Sequence, residues 1–193
     1  LNTCLANVCR GMDPSFLGRY PGTQYDGARV DAMQAALDEY QTFFGPHRLL
    51  NLELKFWLDE IDWMKDRNVS KKEGEYYLGL SRKGRGKQVH MSRTDREAAF
   101  QIYCLYEEQK QLRKLRDWAD DALYLVRNGK QIPEKDKFDH VLIDEAQDLS
   151  LVQMMAAMML FRRDMVMAMD MNQRIFNRQW TPKLLGIETT TKM

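Results

Sequence analysis

The chain has 193 residues, of which 44% are hydrophobic and 30% charged, with a formal net charge of +1. That profile describes a globular chain with ample core material, and the longest apolar run, Met154 to Phe161, is far short of the roughly 18 residues that span a bilayer. Three cysteines (Cys4, Cys9, Cys104), an odd count without metal-ligand spacing, argue against a disulfide scaffold and a zinc site.

No basic start followed by an apolar stretch marks a secretory signal, so a reducing cytoplasm is the expected compartment. The near-neutral total conceals opposed patches. Thr23 to Asp62 holds 3 basic and 8 acidic side chains, whereas Lys65 to Arg96 holds 10 basic and 4 acidic. Such asymmetry is compatible with a nucleic-acid surface, but on charge alone ordinary solvated surface is the favoured reading. The chain opens on Leu1 and stops at Met193 without a closing element, which reads as a piece of something longer.

In chain order, residues 1–22 are ambiguous, with Gly11, Pro14, Gly18, Pro21 and Gly22 breaking any regular period. Val30, Met33, Leu37, Tyr40 and Phe44 recur at helical spacing and predict a helix over 28–44, ended by Gly45-Pro46. A second helix is predicted over 53–66, with Leu54, Trp57, Leu58, Ile61 and Met64 on one face. Residues 76–80 read as extended or irregular, followed by a basic loop, Ser81-Arg82-Lys83-Gly84-Arg85-Gly86-Lys87. A long helix starts near Thr94 with Glu97 as its capping-box partner. A short one covers about 120–127, and residues 130–137 form a polar linker.

The texture then changes. Phe138 to Ile143 is an apolar strand ending in acids. Ser150 opens an apolar helix over 151–161, and Met165 to Met169 is a second strand. Strand, helix, strand within about thirty residues predicts a parallel βαβ unit. Three segments are expected: 1–22, poorly defined; 23–130, helical with the basic loop; and 131–193, α/β.

Ligands of parallel sheets bind at the carboxyl ends of the strands. Val141-Leu142-Ile143-Asp144-Glu145-Ala146-Gln147-Asp148 therefore places two carboxylates where a nucleotide would sit. Asp144 suits Mg²⁺, a hard ion that takes oxygen ligands, and Glu145 can accept a proton from an attacking water. The next strand runs into Met169-Asp170-Met171-Asn172-Gln173-Arg174-Ile175-Phe176, whose Gln173 can hydrogen-bond a terminal phosphate.

On these two motifs the chain resembles the UvrD/Rep-type superfamily I DNA helicases. Asp144 to Asp148 looks like their Walker B motif, motif II, and Asp170 to Phe176 like motif III. The resemblance covers about 56–186 and is specific between Phe138 and Phe176. It implies an α/β fold: part of a RecA-like P-loop NTPase sheet carrying a large, mostly helical inserted subdomain that faces duplex DNA. ATP and Mg²⁺ are the implied cofactors. By position, Asp144 would hold Mg²⁺, Glu145 would be the catalytic base and Gln173 the γ-phosphate sensor. Gln147, Asp148 and Asp170 would complete the nucleotide site. Phe176 stands where the family has tyrosine near single-stranded DNA, and Met169 replaces the usual glycine. The family's next aromatic position is Arg178 here, leaving Trp180 as the candidate for base stacking.

The implied partners are single-stranded DNA, a duplex junction and the rest of a parent helicase, with no membrane and a nucleoid-associated cytoplasmic location. Arg82, Lys83, Arg85 and Lys87 are assigned to duplex phosphates. A G-x-x-x-x-G-K-[ST] phosphate loop is absent: the stretch from Ser81 to Gln88 lacks the first glycine and the hydroxyl. The parent is expected to be an ATP-driven translocase and the isolated chain not to turn over ATP. The alternative is a non-enzymatic nucleic-acid-binding module that keeps a degenerate NTPase fold. His47, His90 and His140 form no triad, and Met154, Met155, Met158 and Met159 read as core packing.

Overall fold

The computed structural model describes residues 1–15, 26–82, 89–169, 180 and 185. The chain divides into two compact units. One is Ser15–Asp120; the other joins Leu1–Pro14 to Asp121–Met193. The helical unit is thus a continuous stretch between two segments of the α/β unit. Its end at Asp120 leaves residues 121–130 with the α/β unit.

In the helical unit, α2 (Gly27–Phe44), α3 (Leu54–Asp66), α4 (Gly74–Gly79) and α5 (Arg93–Leu112) enclose one core, while α1 (Asn2–Met12) belongs to the other unit. Ala32, Met33 and Ala36 of α2 meet Trp57, Leu58, Ile61 and Met64 of α3 and Ala99, Ile102, Tyr103 and Tyr106 of α5, all essentially without solvent contact. Small residues on α2 opposite aromatics on α5 let these helices interdigitate. The predicted stripe on α2 runs out at its end, where Phe44 is 57% exposed.

Residues 76–80 are not extended: Gly74–Gly79 is helical. Tyr and Leu favour strands on propensity alone, but Tyr77 is driven into the core against Trp63 and Phe100. Gly74 lets Phe100 come so close that a Cβ there would lie 3.0 Å from its ring. The cap of α5 is Ser92 with Asp95, not Thr94 with Glu97. Asp95 accepts from the Ser92 amide at 2.8 Å, and its carboxylate also receives Arg48 Nε at 2.9 Å. That arginine holds the Asp95 carboxyl well below the usual carboxylate range.

In the α/β unit, the ambiguous start of the chain forms the helix α1 (Asn2–Met12), because Gly11 and Pro14 lie at and beyond its end. Leu5, Ala6, Val8 and Cys9 are buried, and the Cys9 thiol lies 3.5 Å from the Asp121 carbonyl at the start of α6 (Asp120–Asn128). Short 3-10 turns at Gly129–Gln131 and Glu134–Asp136 occupy the predicted linker.

The sheet contains β1 (Phe138–Ile143) and β2 (Phe161–Met167), paired in parallel with Val141 beside Met165 and Ile143 beside Met167. The connecting α7 (Leu151–Met158) opens on a capping box of Ser150 and Gln153. It ends earlier, and β2 starts earlier, than the hydrophobic pattern predicts. The polar run Arg162-Arg163-Asp164 lies in the strand after all, since Arg162 pairs with Asp139 at 3.1 Å and Asp164 with His140 at 3.1 Å across the ladder. One sheet face packs Ile143, Met165 and Met167 against Ala146, Met154 and Trp180. The other carries Leu142, 78% exposed, and Val166, 59% exposed. No helix among the described residues is long and apolar enough to cross a membrane.

Candidate functional site

The carboxyl end of β1 positions the acids. Ala168 N–H donates to the Ile143 carbonyl at 2.8 Å and Ala146 N–H to the Ala168 carbonyl at 3.0 Å, so the ladder continues past the strand on both sides of Asp144 and Glu145. Between these anchors Glu145 adopts a left-handed backbone, φ 51° and ψ 41°. A non-glycine residue there costs about 1 kcal/mol or more, a strain that the flanking ladder bonds and the following turn sustain. The turn is a 3-10 helix over Ala146–Asp148, closed by Asp148 N–H to the Glu145 carbonyl at 2.9 Å.

Both acids remain exposed, while the next two residues, Ala146 and Gln147, are buried. The Asp144 carboxylate accepts from the Glu145 amide at 3.0 Å, and among the described residues no lysine or arginine pairs with it. An exposed, cation-free carboxylate at a strand end fits a hard divalent ion. The Gln147 amide donates to the Glu145 carboxylate and so orients it, a positioning role that the motif string alone did not reveal. Asp148 is half-buried on the same turn. Asp170, Gln173 and Phe176 lie outside the described residues.

Trp180 requires a correction. It is buried, 4% exposed, between Ala146 and Met154, and its indole N–H donates to the Leu149 carbonyl at 2.7 Å. A ring enclosed by the β1–α7 junction offers no face to a base. Its part is to hold the turn that follows Asp144 and Glu145.

Arg82 is likewise committed elsewhere. Its guanidinium forms a two-pronged pair with Glu60, one arm at 2.8 Å, and lies 5.3 Å from the Trp63 ring. Glu60 is fully buried and also accepts from the Tyr77 hydroxyl at 3.1 Å. Burial alone would make Arg82 easier to deprotonate, but the Glu60 bond and charge outweigh it and keep it firmly cationic. Lys83, Arg85 and Lys87 lie outside the described residues. Arg82→Ala is expected to lower stability by about 2 kcal/mol, because it strips a charged hydrogen-bond partner from a buried carboxylate. The urea midpoint should fall with an unchanged slope; a midpoint equal to wild type would show that Glu60 finds another partner.

A third cluster lies in the helical unit. Glu107, Asp117 and Asp120 bring carboxylate oxygens within 4.8 Å of one another. Their centre is filled by protein cations. Lys65 Nζ lies 2.7 Å from Glu107 and 2.8 Å from Asp120 and also pairs with Asp117, while Lys110 Nζ lies 2.7 Å from Asp120. Arg29 Nε adds a contact of 2.8 Å to Asp117, and the Tyr106 hydroxyl donates to the same carboxylate at 2.9 Å. The cluster is an internal ion network. Its sequence signal is faint, because the charges come from four separate stretches of chain.

With this geometry in view, residues 31–180 match the UvrD/REP helicase N-terminal domain. The chain belongs to the UvrD/REP helicase family. Comparison with individual curated proteins gives no match.

Proposed function

We propose that this chain contributes the Mg²⁺-binding and water-activating acids of an ATP-dependent DNA helicase, which couples ATP hydrolysis to movement on single-stranded DNA and to unwinding. The observation that carries the reading is the exposure of Asp144 and Glu145 side by side at the carboxyl end of a parallel strand in a UvrD-like chain. The carboxyl-terminal halves of β1 and β2, with Leu142 and Val166 on one face and Ile143, Met165 and Met167 on the other, support a RecA-like sheet with layers on each side, since parallel strands covered twice are apolar on both faces. The helical stretch 15–120 is then the inserted subdomain, and Lys83, Arg85 and Lys87 its contact with duplex phosphates.

Asp144 would hold the metal, which when bound neutralises charge on the phosphates. Glu145, kept in place by Gln147, would take the proton of the attacking water, and Gln173 would report the terminal phosphate. The test is DNA-stimulated phosphate release by the full-length protein across a Mg²⁺ titration. Asp144→Asn is expected to raise the Mg²⁺ requirement and depress turnover together. A variant with the wild-type Mg²⁺ curve would remove Asp144 from the site.

A further inference from the structure

At the end of α5 the chain reverses through Lys114, whose φ is 52°. The sequence there, Leu112-Arg113-Lys114-Leu115-Arg116-Asp117-Trp118, mixes signs, but the fold sorts them. Asp117 and Asp120 turn inward, where Lys65, Lys110 and Arg29 neutralise them. Arg113 and Lys114 stay exposed, and among the described residues no carboxylate pairs with either; Arg113 donates to the Gln109 carbonyl at 3.2 Å. Beside them Leu112 is 75% and Trp118 44% exposed, whereas Trp57, Trp63 and Trp180 are all below 10%. The surface of this turn is therefore cationic and aromatic, anchored from beneath by a buried ion network.

We propose that the turn from Leu112 to Trp118 is a binding site for single-stranded nucleic acid, with Arg113 and Lys114 on backbone phosphates and the Trp118 ring stacked on an unpaired base. The proposal rests on the helicase reading above and adds a site to it. Base–aromatic stacking tolerates any sequence because every base has a π face, and neighbouring cations track the backbone. An anionic lipid surface would also attract cations and tryptophan. A membrane-lying segment, however, presents a broad apolar helical face, and here one leucine and one indole stand on a tightly anchored turn.

The experiment uses the full chain with a dT20 oligonucleotide, followed by anisotropy over a salt series and by tryptophan emission. Because Trp118 is the exposed tryptophan, dT20 should quench its emission, and Trp118→Phe should abolish the quenching while leaving the circular dichroism unchanged. Trp118→Ala should weaken binding about fivefold or more. Arg113→Gln with Lys114→Gln should reduce the log–log salt slope by about 1.4, two contacts at about 0.7 each on a single strand. Undiminished quenching in Trp118→Phe, or an unchanged slope in the double variant, would overturn the site while leaving the helicase reading intact. Loss of binding to phosphatidylserine vesicles without loss of dT20 binding would overturn it in favour of lipid. A wild-type chain that does not bind dT20 would sink the underlying reading and this site with it.

Discussion

Replacing Lys65 by methionine should destabilise the protein by roughly 3 to 5 kcal/mol, the cost of removing one partner from a buried ion network and leaving the other charges uncompensated. Lys65 is wholly buried, and its ammonium is shared among Glu107, Asp117 and Asp120. Burial by itself would push the Asp117 carboxyl up, yet Lys65, Lys110 and Arg29 together hold it well below the ordinary carboxylate range. A carboxyl depressed in the folded state contributes stability above its unfolded pKa of about 4, and that contribution is lost as pH falls below it. Wild-type stability should therefore drop on acidification through that range. In Lys65→Met the remaining carboxylates lose the charge that kept them ionised, so the gap between variant and wild type should narrow as pH falls. Asp117→Asn added to Lys65→Met should restore part of the loss. Urea unfolding at pH 7 and pH 4 measures all of this; a loss below about 1 kcal/mol at pH 7 would mean that the network relaxes around a neutral residue.

That network also marks where sequence reasoning stops. The helices of the Ser15–Asp120 unit were legible because Trp57, Leu58, Ile61 and Met64 repeat at 3.6-residue spacing, and the strand at Phe138–Ile143 because its apolar run ends sharply in acids. Charges carry no such period. Arg29, Lys65, Lys110 and Asp117 look like solvated surface in the sequence, and only the packing of α2 and α3 on α5 turns them inward. Tyr77 misled for the same reason: its propensity favours strand, and its burial beside Trp63 and Phe100 overrides it.

The site was legible to a different degree. The order Asp144-Glu145 at a strand end follows from topology, and the structure places both acids there, exposed. What a linear motif cannot hold is direction. Arg82 reads as one of four loop cations, but Glu60, twenty-two positions away, takes its guanidinium inward. Trp180 reads as an aromatic near DNA, but the Leu149 carbonyl and Met154 enclose it. In both, a buried partner far along the chain decides, and no local pattern announces it.

The other large effect concerns Glu145. In the full-length protein Glu145→Gln should lower DNA-stimulated ATP turnover by about 10²- to 10⁴-fold, the usual worth of a general base. The substitution isolates that role because the geometry tolerates it. Glu145 makes its side-chain contact as an acceptor from the Gln147 amide, and a glutamine carbonyl oxygen can accept in its place. The left-handed backbone at φ 51° and the ladder bonds from Ala146 and Ala168 do not involve the side chain. Nucleotide affinity should therefore stay near wild type while turnover collapses. Gln147→Leu supplies the contrast, since it leaves the base and removes its orienting bond; its loss should be nearer tenfold. Turnover by quenched-flow and affinity by a fluorescent nucleotide separate the outcomes. Equal losses in both variants would make the orientation of Glu145, rather than its proton chemistry, the limiting feature, and full turnover in Glu145→Gln would assign the base to another residue.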